Sequence, residues 1–167
     1  MEEPLRVLHI EDSDDDALLV LRALKRGGFN VSVTRIETAE GLSSALARRS
    51  WDVIIADYQL PHFGAQEALR IVQQHGADLP FIVVSGTIGE QHAVELMRTG
   101  AHDYVMKDRL ERLSEAIRRE IREAGGRRER RRIEAALQAL IAGTAGVTGA
   151  DFLPRWCNIL RRPLLSI

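Results

Sequence analysis

Apolar and polar residues alternate along this chain with two different periods. Residues 53–56 are apolar at every position, and a polar residue stands on each side of the run. Such a run is typical of a strand that is buried on both faces, as in a parallel sheet. Residues 17, 20, 21 and 24 are also apolar, at the i, i+3, i+4, i+7 spacing of one helix face. The pattern therefore predicts both buried strands and amphipathic helices.

Strand-like and helix-like segments follow one another in strict alternation from residue 5 to about residue 124. The predicted strands are residues 5–10, 31–36, 53–56, 81–84 and 103–106. An amphipathic helix follows each of them, and the last helix starts near Arg109. Repeated strand–helix units predict an α/β fold in which a parallel sheet carries helices on both faces.

Composition excludes several classes of protein. Hydrophobic residues make up 45% of the 167 residues, which is enough for a packed core and argues against a disordered chain. No run approaches the ~18 consecutive apolar residues of a membrane span, and the acidic start lacks the apolar segment of a secretory signal. The single cysteine, Cys157, cannot form a disulfide within the chain. These observations predict a cytoplasmic protein without a membrane span.

The net charge of −1 conceals two segments of opposite sign. Residues 1–108 contain 10 Lys and Arg against 17 Asp and Glu, a net charge of −7. Residues 109–167 contain 13 Arg against 7 Asp and Glu, a net charge of +6. The basic run RRERRR at residues 127–132 has no DNA-binding motif behind it and no interleaved aromatic residues. We therefore expect a solvated helix face there rather than DNA binding.

Polar residues follow the predicted strands at the points where a binding site would form. They are Glu11 and Asp12 after the first strand, Asp57 after the third, Ser85 after the fourth and Lys107 after the fifth. The carboxyl ends of parallel strands share one edge of a sheet, which is where ligands bind. Carboxylates held together repel one another unless a cation binds, and hard oxygen ligands suit Mg²⁺. A lysine and a hydroxyl beside them suit a phosphoryl group, and a carboxylate can itself be the nucleophile.

Four short motifs stand at these strand ends. They are LHIED at residues 8–12, DYQLP at 57–61, VVSGT at 83–87 and DYVMK at 103–107. With these motifs the chain resembles the receiver domain of response regulators in two-component signalling, over residues 5 to about 124. The resemblance implies a flavodoxin-like (βα)5 fold, a doubly wound parallel sheet with strand order 2-1-3-4-5, here with a C-terminal helical extension. It also implies a phosphoprotein of a phosphorelay, switched by an aspartyl phosphate in signal transduction.

The resemblance further implies which residues hold the phosphoryl group and the metal ion. Asp57 would accept the phosphoryl group from the phosphohistidine of a sensor histidine kinase or a phosphotransfer protein. Asp12 would bind Mg²⁺ directly and Glu11 through water, with Asp57 and the backbone carbonyl of Gln59 as further ligands. We interpret residues 14–16 differently, as acidic residues in the first turn of a helix, where the helix dipole favours them.

Three more residues receive roles from the same resemblance. Lys107 would pair with the phosphoryl group, Ser85 would be the switch hydroxyl, and Tyr104 would be the aromatic residue that moves with it. The chain departs from the common pattern at Asp108, where many receivers have a proline after a cis bond. We expect a trans bond here, because a non-proline cis bond costs ~3 kcal/mol.

The sequence divides into three predicted parts: a receiver at residues 1–124, an Arg/Glu-rich linker or signalling helix at 125–141, and an unassigned tail or partial downstream domain at 142–167. An apolar stripe at residues 133, 137, 140 and 141 predicts a homodimer through the helix, or a solvated helix interrupted at Gly125 and Gly126.

Two hypotheses describe the whole protein. The first is a signalling phosphoacceptor that is not an enzyme in the usual sense and that switches a partner or a downstream domain. The second is the N-terminal receiver fragment of a hybrid histidine kinase, which is an enzyme. The histidine motif and the Gly-rich ATP-binding motifs of a kinase are not visible in this chain, which favours the first hypothesis.

Overall fold

Strands and helices alternate along the whole described chain. A computed structural model describes residues 2–61, 63–86 and 90–145. A 3-10 helix, Lys107–Arg112, lies between the last strand and the last helix. The other elements, in chain order, are β1 (Glu3–Ile10), α1 (Asp14–Arg26), β2 (Phe29–Ile36), α2 (Ala39–Arg48), β3 (Val53–Asp57), α3 (Ala65–Gln74), β4 (Phe81–Ser85), α4 (Glu90–Thr99), β5 (Asp103–Met106) and α5 (Leu113–Ala145).

The five strands form one sheet with the order β2-β1-β3-β4-β5. Every pair of neighbouring strands is parallel. The order reverses beside β1, because the chain first adds β2 on one side and then places β3 on the other. The predicted flavodoxin-like, doubly wound fold is confirmed.

The central strand β3 shows why the sheet is buried on both faces. All five of its residues are buried, and successive side chains of a strand point to opposite faces. Val53 and Ile55 belong to the core that also contains residues of α1 and α5. Ile54 and Ala56 belong to the other core, together with residues of α2 and α3. Because the sheet packs against a core on each face, the position of each strand end is fixed.

Helix α1 begins at a side-chain cap next to the end of β1. The Oγ atom of Ser13 accepts a hydrogen bond of 3.3 Å from the backbone N–H of Asp16. Such a cap satisfies one of the free N–H groups of the first turn. Val20 and Leu24 are the buried residues of α1, and they hold the helix against the sheet. The first turn of α1 is therefore fixed relative to the strand ends.

The segment after β5 differs from the sequence prediction at its start. The last helix was expected from about Arg109, whereas the structure has a 3-10 helix up to Arg112 and an α-helix from Leu113. The backbone of Arg109 is non-helical, with φ −129° and ψ 38°, which separates the turn that carries Lys107 from α5. The described residues contain no cis peptide bond, in agreement with the trans bond expected before Asp108.

The chain divides into two compact units after Gly126. The first unit contains the sheet and the part of α5 whose buried residues include Ile117 and Ala124. In the second unit, residues 127–145 are helical, and Ile133 and Leu137 are 52% and 54% exposed. Within the described ranges, no helix combines the length and the apolar character that a membrane span requires.

The contact between Gly27 and Ser114 provides a test of how α1 packs against α5. A Cβ atom on Gly27 would lie 1.8 Å from Ser114 Oγ and 2.4 Å from Ser114 Cβ, so rotating the serine side chain cannot relieve the overlap. We expect Gly27→Ala to lower the free energy of unfolding by ~1–3 kcal/mol, the usual cost of overpacking.

Gly125→Ala is the matched control in urea denaturation of the full chain. A Cβ atom on Gly125 meets nothing within 4 Å, and Gly125 lies inside α5. Alanine should therefore raise the free energy of unfolding there by ~0.5–1 kcal/mol, because it restricts the unfolded chain and favours the helix. Equal stability of Gly27→Ala and the unchanged chain would contradict the close contact.

Candidate functional site

The ammonium group of Lys107 brings the ends of several elements together. Its Nζ atom lies 2.8 Å from Asp57 Oδ2 and 2.6 Å from Asp16 Oδ2. A third carboxylate oxygen, Glu11 Oε2, lies 3.5 Å from the same nitrogen. Asp57 is the last residue of β3, Glu11 directly follows β1, and Lys107 directly follows β5. The parallel sheet thus collects these groups at one edge, as expected for an open α/β fold.

The charges of this cluster interact strongly because their side chains are shielded from much of the water. Glu11 is 1% exposed, and burial raises the pKa of its carboxyl group. A hydrogen bond of 3.0 Å from the backbone N–H of Ser13 lowers that pKa in part, whereas the negative charge of Asp57 raises it. Burial by itself lowers the pKa of Lys107, but hydrogen bonds to Asp16 and Asp57 outweigh this effect and the pKa is raised. Three carboxylates face one ammonium, so an added cation would stabilise the cluster.

Ser85 supplies a hydroxyl group at the end of the neighbouring strand. It is the last residue of β4 and is 1% exposed. Its Oγ atom has no hydrogen-bond partner among the described residues. Val84, the residue before it, pairs with Asp57 across the sheet. A buried hydroxyl without a partner is costly unless a ligand oxygen accepts a hydrogen bond from it, so this group suits an anionic ligand.

The structure brings together two of the four groups predicted to bind the metal ion, the carboxylates of Glu11 and Asp57, and places Asp16 beside them. One carboxylate oxygen from each of Glu11, Asp57 and Asp16 lies within 4.8 Å of the other two. Asp12 is exposed and does not belong to this group. The backbone N–H of Gln59 donates a hydrogen bond of 3.2 Å to Asp57 Oδ1. The metal roles of Asp12 and of the Gln59 carbonyl stay predictions.

Asp16 is the site residue that the sequence analysis missed. The sequence predicts it only as one of three acidic residues of a first turn, which is correct for its position on α1. The helical spacing contained a further signal, because Asp16 stands four residues before Val20 and eight before Leu24, the two buried residues of this helix. That spacing places Asp16 on the side of α1 that faces the sheet.

Tyr104 is the second residue of β5. Its side chain is partly exposed and lines a shallow depression with Val94 and Met97 of α4. The predicted role of Tyr104 as a mobile switch residue stays a prediction.

The fold and this edge of the sheet define a receiver-type α/β domain, with a strand-end aspartate beside a lysine, a second acid and a hydroxyl. Residues 7–118 match the family described as the response regulator receiver domain. The chain belongs to this family, and it is therefore a receiver domain of two-component signalling. The resemblance inferred from the four motifs is confirmed.

Curated relatives share about a third of the aligned residues. The cell cycle response regulators CtrA of Brucella ovis and of Brucella abortus are each 32% identical to this chain over 103 residues. The match covers 62% of this chain and 44% of each relative. The chain thus matches less than half the length of these relatives.

Solved receiver structures share the fold. The signal receiver domain of a putative Luxo repressor protein from Vibrio parahaemolyticus has a TM-score of 0.64 at 24% identity, covering 73% of this chain and 93% of that one. The receiver domain of the sensor histidine kinase PA1611 from Pseudomonas aeruginosa PAO1 has a TM-score of 0.60 at 21% identity, covering 71% and 98%. In that structure a magnesium ion is coordinated in the active site cleft.

The buried residue His9 makes the stability of the fold sensitive to pH. The pKa of its imidazole is lowered from 6.5 to about 4, chiefly by burial and in addition by the positive charges of Lys107 and Arg35, against a smaller opposite effect of Asp16. As the pH falls below 6.5, the unfolded chain therefore takes up a proton before the folded chain does. We expect His9 to reduce the free energy of unfolding by ~3 kcal/mol between pH 6.5 and pH 4.

This effect is measured by urea denaturation of the full chain at several pH values, in the presence of a chelator that removes metal ions. His9→Leu should retain more stability than the unchanged chain as the pH falls, because leucine has no proton to bind. Glu11 acts in the opposite sense, since its raised pKa makes the folded state bind a proton more tightly. That contribution is common to both proteins and cancels in their difference. Parallel profiles for the two proteins would exclude His9 as the cause.

Proposed function

We propose that this chain accepts a phosphoryl group onto Asp57 from the phosphohistidine of a sensor histidine kinase or a phosphotransfer protein. The observation that carries the proposal is the 2.8 Å contact between Lys107 Nζ and Asp57 Oδ2 at the edge where β1, β3, β4 and β5 end. A strand-end carboxylate with a half-buried cation beside it is suited to receive an anionic group. The membership in the receiver family points to the same reaction.

The proposed reaction exchanges one bond to phosphorus for another. A carboxylate oxygen of Asp57 attacks the phosphorus, and the phosphorus–nitrogen bond of the donor breaks. The electron pair of that bond stays on the imidazole nitrogen, which takes up a proton, and Asp57 becomes an acyl phosphate. Lys107 donates an N–H to one phosphoryl oxygen, and the hydroxyl of Ser85 donates to another. The fixed positions of the three groups reduce the entropy cost of the transfer.

The proposal includes Mg²⁺ as the cofactor of the site. Glu11 is almost fully buried with a raised pKa beside Asp57, so the residues present fit a cation. Glu11, Asp12, Asp57 and the carbonyl of Gln59 would hold it from the protein side. When bound, Mg²⁺ supplies positive charge for the phosphoryl oxygens. The magnesium ion in the cleft of the similar receiver from Pseudomonas aeruginosa supports this choice of metal.

The phosphorylated state is proposed to act as a switch in a cytoplasmic phosphorelay. Ser85 and Tyr104 would carry the change from the acceptor edge to β5, so that a partner or a downstream domain responds. In this role the chain is a signalling phosphoprotein with self-catalysed transfer rather than an enzyme with an external substrate. The alternative, a receiver within a hybrid histidine kinase, would use the same site and the same acceptor.

Phosphorylation of Asp57 is tested by incubating the full chain with Mg²⁺ and acetyl phosphate and measuring the gain of one phosphoryl mass. We expect Asp57→Asn to abolish this gain, because the amide cannot attack as a nucleophile. The modification should be labile to base, as acyl phosphates are.

Asp15→Asn is the matched control for the loss of one negative charge. Asp15 is exposed in the first turn of α1, outside the carboxylate group around Lys107. This variant should be phosphorylated like the unchanged chain. Equal labelling of Asp57→Asn and the control would show that the acceptor is another residue.

We further propose that the helix after Gly126 associates with a second copy of itself. Ile133 and Leu137 are four residues apart and more than half exposed on the helical residues 127–145. Apolar residues at this spacing, followed by Leu140, continue the stripe of a short coiled coil. A second copy of the same helix offers a matching surface, as in most homo-oligomers. In this proposal residues 125–141 serve as the signalling helix of the receiver.

Sedimentation of the full chain at micromolar concentration tests the dimer. The double substitution Ile133→Glu with Leu137→Glu should convert a dimer into a monomer, because it places charges in the apolar stripe. The control is Ala135→Glu with Gln138→Glu, which adds the same charges at outward positions of the same heptad. A monomer in the unchanged chain, or equal dissociation by both pairs, would contradict association through this stripe.

A further inference from the structure

We propose that Asp16 is a positioning residue that competes with the phosphoryl group for Lys107 and thereby slows the phosphorylation of Asp57. The inference rests on the proposed function, because it concerns the rate of the same transfer. It assigns a role to a residue for which the four receiver motifs imply none, since Asp16 lies outside all of them.

The contact of Asp16 with Lys107 is as short as that of the proposed acceptor. Lys107 Nζ lies 2.6 Å from Asp16 Oδ2 and 2.8 Å from Asp57 Oδ2, and both carboxylates accept hydrogen bonds from the same ammonium. The side chains of Asp16 and Lys107 are only 32% and 18% exposed, so water screens this pair less than a surface pair. The acidic residue beside it, Asp15, is exposed and lies outside the carboxylate group.

The position of Asp16 is held by its own helix. Its backbone N–H donates to Ser13 Oγ at 3.3 Å, which fixes the first turn of α1. The same helix is anchored four and eight residues later by the buried side chains of Val20 and Leu24. Ser13 is in turn held by the hydrogen bond from its N–H to Glu11 Oε1. The backbone of Asp16 is therefore held in a fixed position, from which its carboxylate contacts Lys107.

The consequence for phosphoryl transfer follows from charge. Transfer to Asp57 requires the ammonium of Lys107 to neutralise a phosphoryl oxygen. While Asp16 accepts a hydrogen bond from that ammonium, part of its positive charge is already compensated, and the additional carboxylate repels the anionic donor. Asparagine has nearly the shape of aspartate but no charge. Replacing Asp16 by asparagine should therefore release Lys107 toward the phosphoryl group and speed the transfer.

The first measurement is the rate of phosphorylation of the full chain by acetyl phosphate at saturating Mg²⁺. We expect Asp16→Asn to react roughly two- to tenfold faster than Asp15→Asn, the range expected for removing one partly buried charge partner. Asp15→Asn is the matched control because it removes one charge from the same helical turn without touching Lys107. Asp16→Glu keeps the charge and should react at or below the rate of the control. A rate for Asp16→Asn equal to or lower than that of the control would overturn the proposal.

The second measurement does not depend on phosphoryl transfer. The side-chain 15N signal of Lys107, identified by its absence in Lys107→Arg, reports the partners of the ammonium in the unphosphorylated chain. We expect this signal to shift in Asp16→Asn and to stay in place in Asp15→Asn. An unchanged signal in Asp16→Asn would show that Asp16 does not hold Lys107, and the proposal would be wrong. Failure of the unchanged chain to accept any phosphoryl group would instead contradict the proposed function, while the signal would still test the contact.

Discussion

The arrangement of this domain depends on one ammonium group that three carboxylates share at the edge of a parallel sheet. Lys107 contacts Asp16, Asp57 and Glu11, which come from α1, β3 and the end of β1. Like charges at these distances repel one another unless a cation stands between them. The lysine compensates part of the negative charge, and the remainder leaves the edge ready for a divalent cation and, with it, an anionic ligand.

The two cores make this concentration of charge tolerable. Because β3 is buried on both faces, the position of Asp57 is fixed by packing and not by the charges themselves. The same burial keeps His9 neutral and raises the pKa of Glu11, so groups next to the site are tuned by the core that supports them. Helix α1 connects the core to the charged cluster, because its buried residues pack in the core and Asp16 in its first turn contacts Lys107.

Local patterns in the sequence were sufficient for the fold and for part of the site. Alternating apolar runs and helical stripes predicted five strand–helix units, and parallel strands place their carboxyl ends at one edge regardless of packing details. For this reason Glu11, Asp57, Ser85 and Lys107 could be recognised as neighbours from their positions directly after strands. The boundaries were less accurate, because the stripe of α5 continues smoothly through Arg109, where the backbone in fact leaves the helical conformation.

By itself, the sequence determined the alternation of elements and the charged edge of the sheet, because both follow from periodicity and position along single elements, whereas the strand order followed from the family resemblance of its four motifs. Only the tertiary structure decided which acid of the first turn reaches the lysine. Asp16 and Lys107 are 91 residues apart, and their contact depends on the rotation of α1 about its axis once Val20 and Leu24 are buried. In the folded chain Asp12 is exposed, and helix α5 continues without interruption at Gly125 and Gly126. Side-chain distances between distant elements are set by packing in three dimensions, which no local pattern of residues contains.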